Sequence, residues 1–110
     1  MSLGFYLMAD TGGEPVEAFQ RNITHNLGKM AQACGCYEAL WRPEEHGFEY
    51  AYEIKPVLEV SLIKLQANPN EYDKFDSPNG WGKREHLVKF LFETITACKK
   101  YPNAKIEASI

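Results

Sequence analysis

The sequence has few cysteines and no concentrated positive charge. Its three cysteines are an odd number, which argues against a disulfide framework and fits reduced thiols of the cytoplasm. No run of Lys or Arg exceeds two residues, at Lys83-Arg84 and Lys99-Lys100. Proteins that bind a phosphate backbone present clustered basic surfaces, so this composition disfavours nucleic acid as a partner.

The chain also lacks a long apolar run. Its apolar stretches are far shorter than the roughly 20 residues that cross a bilayer. The N-terminus shows neither the basic nor the apolar region of a secretory signal. We therefore expect no membrane partner and a cytoplasmic location.

What is present is an ordinary globular composition. The chain has 110 residues, of which 45% are apolar and 25% charged, and 15 acids against 12 bases give a net charge of −3. This size and balance predict one folded domain spanning residues 1–110, and they disfavour disorder.

Alternating apolar residues predict three strands. The alternating residues of the first strand are Phe5, Leu7 and Ala9 on one face and Tyr6, Met8 and Asp10 on the other. The turn "DTGGEP" then leads to a short return strand over residues 16–20. A second alternation covers residues 104–110. A hairpin alone is marginally stable, so the C-terminal strand is expected to pair beside the N-terminal one.

Helical spacing fills the region between these strands. One helix is predicted from Asn22 or Thr24 to the cap residue Gly35, a second begins with Pro56 in its first turn, and a short helical turn covers residues 71–75. The strongest amphipathic pattern then runs from residue 85 to residue 98. The predicted class is α+β, with a small antiparallel sheet packed against about three helices.

The segment "EEHGFEYAYE" alternates aromatic residues with acids or alanine. Two interpretations stay open: an extra, irregular strand that covers the core, and an exposed recognition segment.

Four motifs resemble a known group of proteins. They are "NITHNLGKM" at 22–30, "LWRPEE" at 40–45, "SPNGWG" at 77–82 and "ACKKYPNAKIEAS" at 97–109. Together they resemble a family of small uncharacterised proteins of bacteriophages, prophages and bacteria. The resemblance implies a shared fold and a phage or bacterial context, and it implies no catalytic residues. The chain departs from the family at "GKREH", where acidic or aromatic residues are usual.

The motif "NITHN" raises the question of whether His25 has a chemical role. Histidine titrates near neutral pH, so His25 is a candidate general base or metal ligand, with Asn22 and Asn26 orienting it or binding a polar ligand. The alternative, which we favour, is that Asn22 or Thr24 caps a helix and His25 lies in its first turn.

Two tryptophan motifs supply further candidate ligand-binding residues. Trp41 and Arg42 are either an exposed contact site or, for the tryptophan, part of the core. In "SPNGWG", Asn79 and Trp81 flank a glycine turn, which more often packs on the protein itself. The sharpest site hypothesis brings Asn79 and Trp81 beside His25, where two helix N-termini lie together.

The thiols do not predict a metal site. Cys34 and Cys36 have one residue between them rather than the usual spacing of zinc ligands, and Cys98 lies in an apolar helical stripe. We expect no metal and no cofactor.

Three functions stay open, because the sequence has no positive catalytic signature. The first is a non-enzymatic accessory or interaction domain that binds a protein or a small polar ligand, with self-association as an option. The second is a small hydrolase or metal-dependent enzyme that uses His25. The third is a nucleic-acid-associated phage factor, which the charge disfavours.

Overall fold

A computed structural model describes residues 2–76 and 82–110 and confirms the α+β class. Its three strands form an antiparallel sheet in the order β2-β1-β3. The strands are β1 Ser2–Ala9, β2 Val16–Thr24 and β3 Lys105–Ser109. The C-terminal strand therefore pairs with the N-terminal one, as predicted.

Strand β1 lies at the centre of the sheet because its alternation matches a buried face. Leu3, Phe5 and Leu7 are fully buried, and all three point to the helical layer. The ring of Phe5 meets Phe90 edge to face, with 6.1 Å between centroids. This row of side chains is the contact between the sheet and the helices.

The helices of the described residues fill the region between β2 and β3. They are α1 Gly28–Cys34, α2 Tyr37–Trp41, α3 Ala51–Ala67, α4 Pro69–Asp73 and α5 Arg84–Lys100. Short 3₁₀ turns at His25–Leu27 and Pro43–His46 precede α1 and follow α2. Gly35 ends α1 with φ 96°, as its predicted cap role requires. None of the described helices is both long enough and apolar enough to span a bilayer.

Strand β2 is longer than the sequence suggested. Its pairing with β1 continues to Ser2↔Thr24, so Asn22 lies in the strand and the prediction of a helix start at Asn22 is wrong. Thr24 is the cap instead: its Oγ1 accepts the Asn26 N–H at 3.2 Å. The register slips between Leu7 and Met8, which places a bulge near the beginning of β2.

The strand predicted in "EEHGFEYAYE" is wrong. Only Tyr50 forms an isolated bridge, to Lys105 of β3, and α3 begins at Ala51. The physical reason is a cap: the Glu53 carboxylate accepts the backbone N–H groups of Glu49 and Tyr50, at 2.9 and 2.8 Å. Two main-chain donors satisfied at once fix a helix start that alternation alone does not reveal.

That early start also moves Pro56. The prediction placed it in the first turn, but five residues of α3 precede it, so the proline lies inside the helix. It therefore removes one main-chain hydrogen bond from the second turn.

Candidate functional site

His25 lies in the 3₁₀ turn between β2 and α1, and its partner is an indole. The Nε1–H of Trp41 donates to His25 Nδ1 at 2.9 Å. Because an indole nitrogen can only donate, Nδ1 must supply a lone pair, and the neutral ring then carries its hydrogen on Nε2. That Nε2 is buried and has no hydrogen-bond partner within residues 2–76 and 82–110. In this state His25 offers no lone pair with which to abstract a proton.

Trp41 lies in the core rather than on an exposed contact surface. Its side chain is 3% exposed and stacks on Tyr37, with 5.3 Å between ring centroids and 8° between planes. Arg42, the next residue, is exposed and pairs with Glu45 at 3.5 Å. The alternative in which Trp41 fills the core is therefore the correct one, and its indole fixes the His25 ring.

Four of the predicted residues line one groove between β2 and α5. This β2–α5 groove encloses about 1030 Å³. One wall is the end of β2 and the 3₁₀ turn, and the other is the first half of α5. The predicted residues on the first wall are Asn22, Thr24, His25 and Asn26.

The remaining predicted residues are not in the β2–α5 groove. Trp41 and Arg42 line a smaller hollow of about 300 Å³ that His25 also borders. Asn79 and Trp81 lie outside the described residues, so their approach to His25 stays a prediction.

Gly82, the last residue of the "NGWG" turn, brings the two helical N-termini together. It lines the groove, has φ 107° and is buried. A Cβ added there would lie 3.1 Å from Asn26 Cβ and 3.2 Å from Thr24 Cγ2. The start of α5 therefore contacts the capped 3₁₀ turn closely, and this contact requires a glycine.

The second wall of the groove supplies residues that the sequence reasoning missed. His86, Lys89, Phe90 and Glu93 of α5 line it. A signal was present, because residues 86, 89 and 93 recur at helical spacing and so share one face. The apolar stripe is the stronger pattern of this helix, and it reports only the buried face.

The charge of the groove differs in sign from that of the whole chain. Arg21, His86 and Lys89 face one acid, Glu93, which lies 3.6 Å from Arg21 in an ion pair. The chain carries a net charge of −3. With histidines left out of the sum, as in the net charge of the chain, the groove has one lysine in excess of its internal pair, and it favours an anionic group.

Beyond this ion pair the groove continues as an aromatic hollow of about 350 Å³. Phe19 of β2, Phe92 of α5 and Tyr101 line it, together with Lys100. Phe92 is 64% exposed. The two cavities share Arg21 and Glu93, so they form one path along β2.

The cysteines form no metal centre in the described residues. No group of three or more His, Cys, Asp or Glu side chains there is arranged to bind a metal ion. All three thiols are reduced and buried. Burial raises the pKa of Cys98 to about 12, despite the nearby cation of Lys55.

No protein-family model, curated protein or solved structure matches the chain. The resemblance to phage and bacterial proteins therefore stays a prediction.

Proposed function

We propose that this protein is a non-enzymatic interaction domain that binds an extended, acidic segment of a partner protein in the β2–α5 groove. The observation that carries the proposal is the position of β2. It is an edge strand of the described sheet, and along its length runs a groove with cationic and then aromatic walls.

An edge strand supports binding through its main chain. Its outer N–H and C=O groups have no strand partner, so an extended peptide can add as a further strand. The bulge near the beginning of β2 interrupts the regular ladder. The usable stretch is therefore residues 19–24, of which residues 21–24 line the β2–α5 groove.

The side chains of the groove set the preferred chemistry of the segment. Lys89 favours a carboxylate near the His25 end. Phe19, Phe92 and Tyr101 offer apolar area to one side chain further along. The partner segment should therefore be extended, with an acidic residue in the β2–α5 groove and an apolar residue in the aromatic hollow.

The alternative functions have weaker support. An enzyme that uses His25 as a base needs a free lone pair on the ring, but Trp41 donates to Nδ1. A nucleic-acid factor is disfavoured by the net charge of −3. A phage or bacterial origin rests on the resemblance alone, a cytoplasmic location on the reduced thiols, and self-association on the same β2 edge.

The test is an NMR titration of the isotope-labelled full chain with a short peptide that carries glutamate and valine two residues apart, so that both side chains lie on one face of the extended strand. We expect amide shifts to concentrate in residues 19–24 and in the first half of α5. A matched lysine–valine peptide should bind more weakly. A glutamate–valine peptide that is N-methylated at alternate positions keeps its charges but cannot form the ladder, and it should lose most of its affinity.

Lys89→Gln and Lys99→Gln are the matched variants. Lys89 lines the groove, whereas Lys99 is exposed on the same helix outside it. Loss of one exposed charge contact, worth up to about 1 kcal/mol, should weaken the acidic peptide about threefold to fivefold for Lys89→Gln. Lys99→Gln should leave its affinity unchanged. Equal binding of free glutamate and the peptide, or no binding of either, overturns the proposal.

A further inference from the structure

Two buried thiols lie side by side where α1 ends. The Sγ atoms of Cys34 and Cys36 are 3.7 Å apart, which is van der Waals contact. Their side chains are 1% and 0% exposed. A disulfide has an S–S distance of about 2.05 Å, so the two sulfurs need to approach by less than about 2 Å to form one.

The main chain builds this arrangement. Gly35, between the two cysteines, has φ 96°, a conformation that other residues rarely adopt. The N–H groups of Gly35 and Cys36 both donate to the carbonyl of Ala31, each at 2.9 Å. The left-handed cap therefore reverses the chain within one residue and turns both thiols to the same side.

The two thiols differ in acidity because they are hydrogen-bonded to each other. The Cys36 thiol lowers the pKa of Cys34, against the effect of burial, and the Ser61 hydroxyl lowers it further. The same bond and burial raise the pKa of Cys36 well above its usual range. In this structure the Ser61 Oγ donates its one hydrogen to the Cys34 carbonyl at 2.8 Å, so the hydroxyl must turn from that carbonyl to reach the thiolate.

We propose that Cys34 and Cys36 are a dithiol site which a small peroxide oxidises to an intramolecular disulfide. This site is independent of the β2–α5 groove and of the proposed binding function. Cys34 is the attacking thiolate, and Cys36 is the thiol that completes the disulfide.

The reaction balances with hydrogen peroxide as the oxidant. The Cys34 thiolate attacks one peroxide oxygen: an S–O bond forms, the O–O bond breaks, and hydroxide leaves and takes up a proton as water. The Cys36 sulfur then attacks the Cys34 sulfenic acid: the S–S bond forms, the S–O bond breaks, and water leaves with the Cys36 proton. Two electrons pass from the dithiol to the peroxide, and the products are one disulfide and two waters.

Burial selects the oxidant and the product. Because the two cysteines are 1% and 0% exposed, an oxidant as large as a disulfide compound cannot reach them. A small peroxide reaches them when the short helices α1 and α2 open locally. Because Cys36 contacts Cys34, the sulfenic acid meets a thiol at once and does not persist. A ring closed over one intervening residue restricts little chain entropy, so the disulfide should form reversibly with little effect on stability.

The experiment treats the full reduced chain with hydrogen peroxide and follows intact mass and thiol alkylation. We expect each chain to lose two alkylatable thiols and two hydrogens, gain no oxygen, and recover with dithiothreitol. Cys98→Ser is the matched control, because Cys98 is also buried but has no thiol neighbour among the described residues. It should form the disulfide within about twofold of the wild-type rate, whereas Cys34→Ser should lose no thiol pair.

Two further variants separate a chemical role from a structural one. Cys36→Ser should leave a sulfenic acid on Cys34 that dimedone traps. Ser61→Ala removes a group that lowers the Cys34 pKa. The pH at which oxidation accelerates should therefore be higher in this variant than in the wild type. Sulfinic acid on Cys34 beside a free Cys36, disulfides between chains only, or equal oxidation of Cys98 overturns the proposal.

Discussion

The contact of Gly82 with the 3₁₀ turn predicts a large cost for one added methyl group. Gly82→Ala places a Cβ 3.1 Å from Asn26 Cβ and 3.2 Å from Thr24 Cγ2, at a φ of 107°. The left-handed backbone costs about 1–2 kcal/mol for a residue with a side chain. Crowding against well-packed atoms adds about 1–3 kcal/mol. We therefore expect Gly82→Ala to lower the free energy of unfolding by about 2–5 kcal/mol.

Gly47→Ala is the matched control. Gly47 has φ 77°, but a Cβ there meets no atom within 4 Å. The variant carries the backbone strain without the crowding, and its cost should be about 1–2 kcal/mol. Replacing glycine by alanine lowers the conformational entropy of the unfolded chain, which stabilises both variants equally. This contribution therefore cancels when the two variants are compared. The difference between them isolates the contact that joins α5 to the turn.

Urea denaturation measures both variants, with a slope of about 1–3 kcal/mol per molar for a small domain. The Gly82→Ala midpoint should lie about 1 M below that of Gly47→Ala. Thr24→Ser removes Cγ2 and keeps the hydroxyl cap, so it should recover part of the loss in the Gly82→Ala background. Equal midpoints for the two alanine variants, or no recovery by Thr24→Ser, would refute the close approach.

Three other substitutions test particular bonds. Trp41→Phe removes the donor to His25 and should cost about 1–3 kcal/mol in urea denaturation, with a cost below about 0.5 kcal/mol contradicting the bond. Hydrogen bonds from the backbone of Tyr50 and Glu49 lower the pKa of the Glu53 carboxyl. The ionised carboxylate therefore stabilises the fold fully above the usual glutamate pKa, and this stabilisation is lost as the pH falls through the lowered pKa. Glu53→Gln should therefore destabilise at neutral pH and converge with the wild type in acid. Glu107→Gln, which removes an exposed carboxylate outside this cap, is the control and should destabilise less at neutral pH. Pro56→Ala restores a helical hydrogen bond and should raise the free energy of unfolding by about 1–2 kcal/mol, and a lower free energy of unfolding would contradict an interior position.

Periodic patterns predicted the fold well where burial decides the structure. Leu3, Phe5 and Leu7 alternate along β1, and the apolar stripe of α5 has helical spacing. Both patterns report one buried face, which is the property that sequence periodicity measures. The position of β3 beside β1 was also predicted, because a two-stranded hairpin is marginally stable until a third strand pairs with it.

Local hydrogen bonds account for the errors. The Glu53 carboxylate caps α3 at Tyr50, so the helix begins two residues before Glu53, inside a stretch whose alternation suggested a strand. The pairing of Ser2 with Thr24 extends β2 past Asn22, which a capping preference alone could not anticipate. Such contacts depend on which residues meet, and a single sequence does not report them.

The candidate site was only half predictable. The wall that contains Thr24 and His25 was predictable, because the side chains of threonine and histidine are often involved in capping, ligand binding or proton transfer. The opposite wall, with Lys89 and Phe92, consists of ordinary surface residues whose significance comes from facing β2. Only the tertiary arrangement brings the two walls together.

Thr24 ends β2 and also caps the next turn, so no loop separates the edge strand from His25. A small displacement of the strand tip must therefore tilt the imidazole, and with it the environment of the Trp41 indole. The fluorescence emission of the Trp41 indole therefore reports on the outer edge of the sheet. In a chain with Trp81 replaced by phenylalanine, its emission should change when a segment occupies residues 19–24.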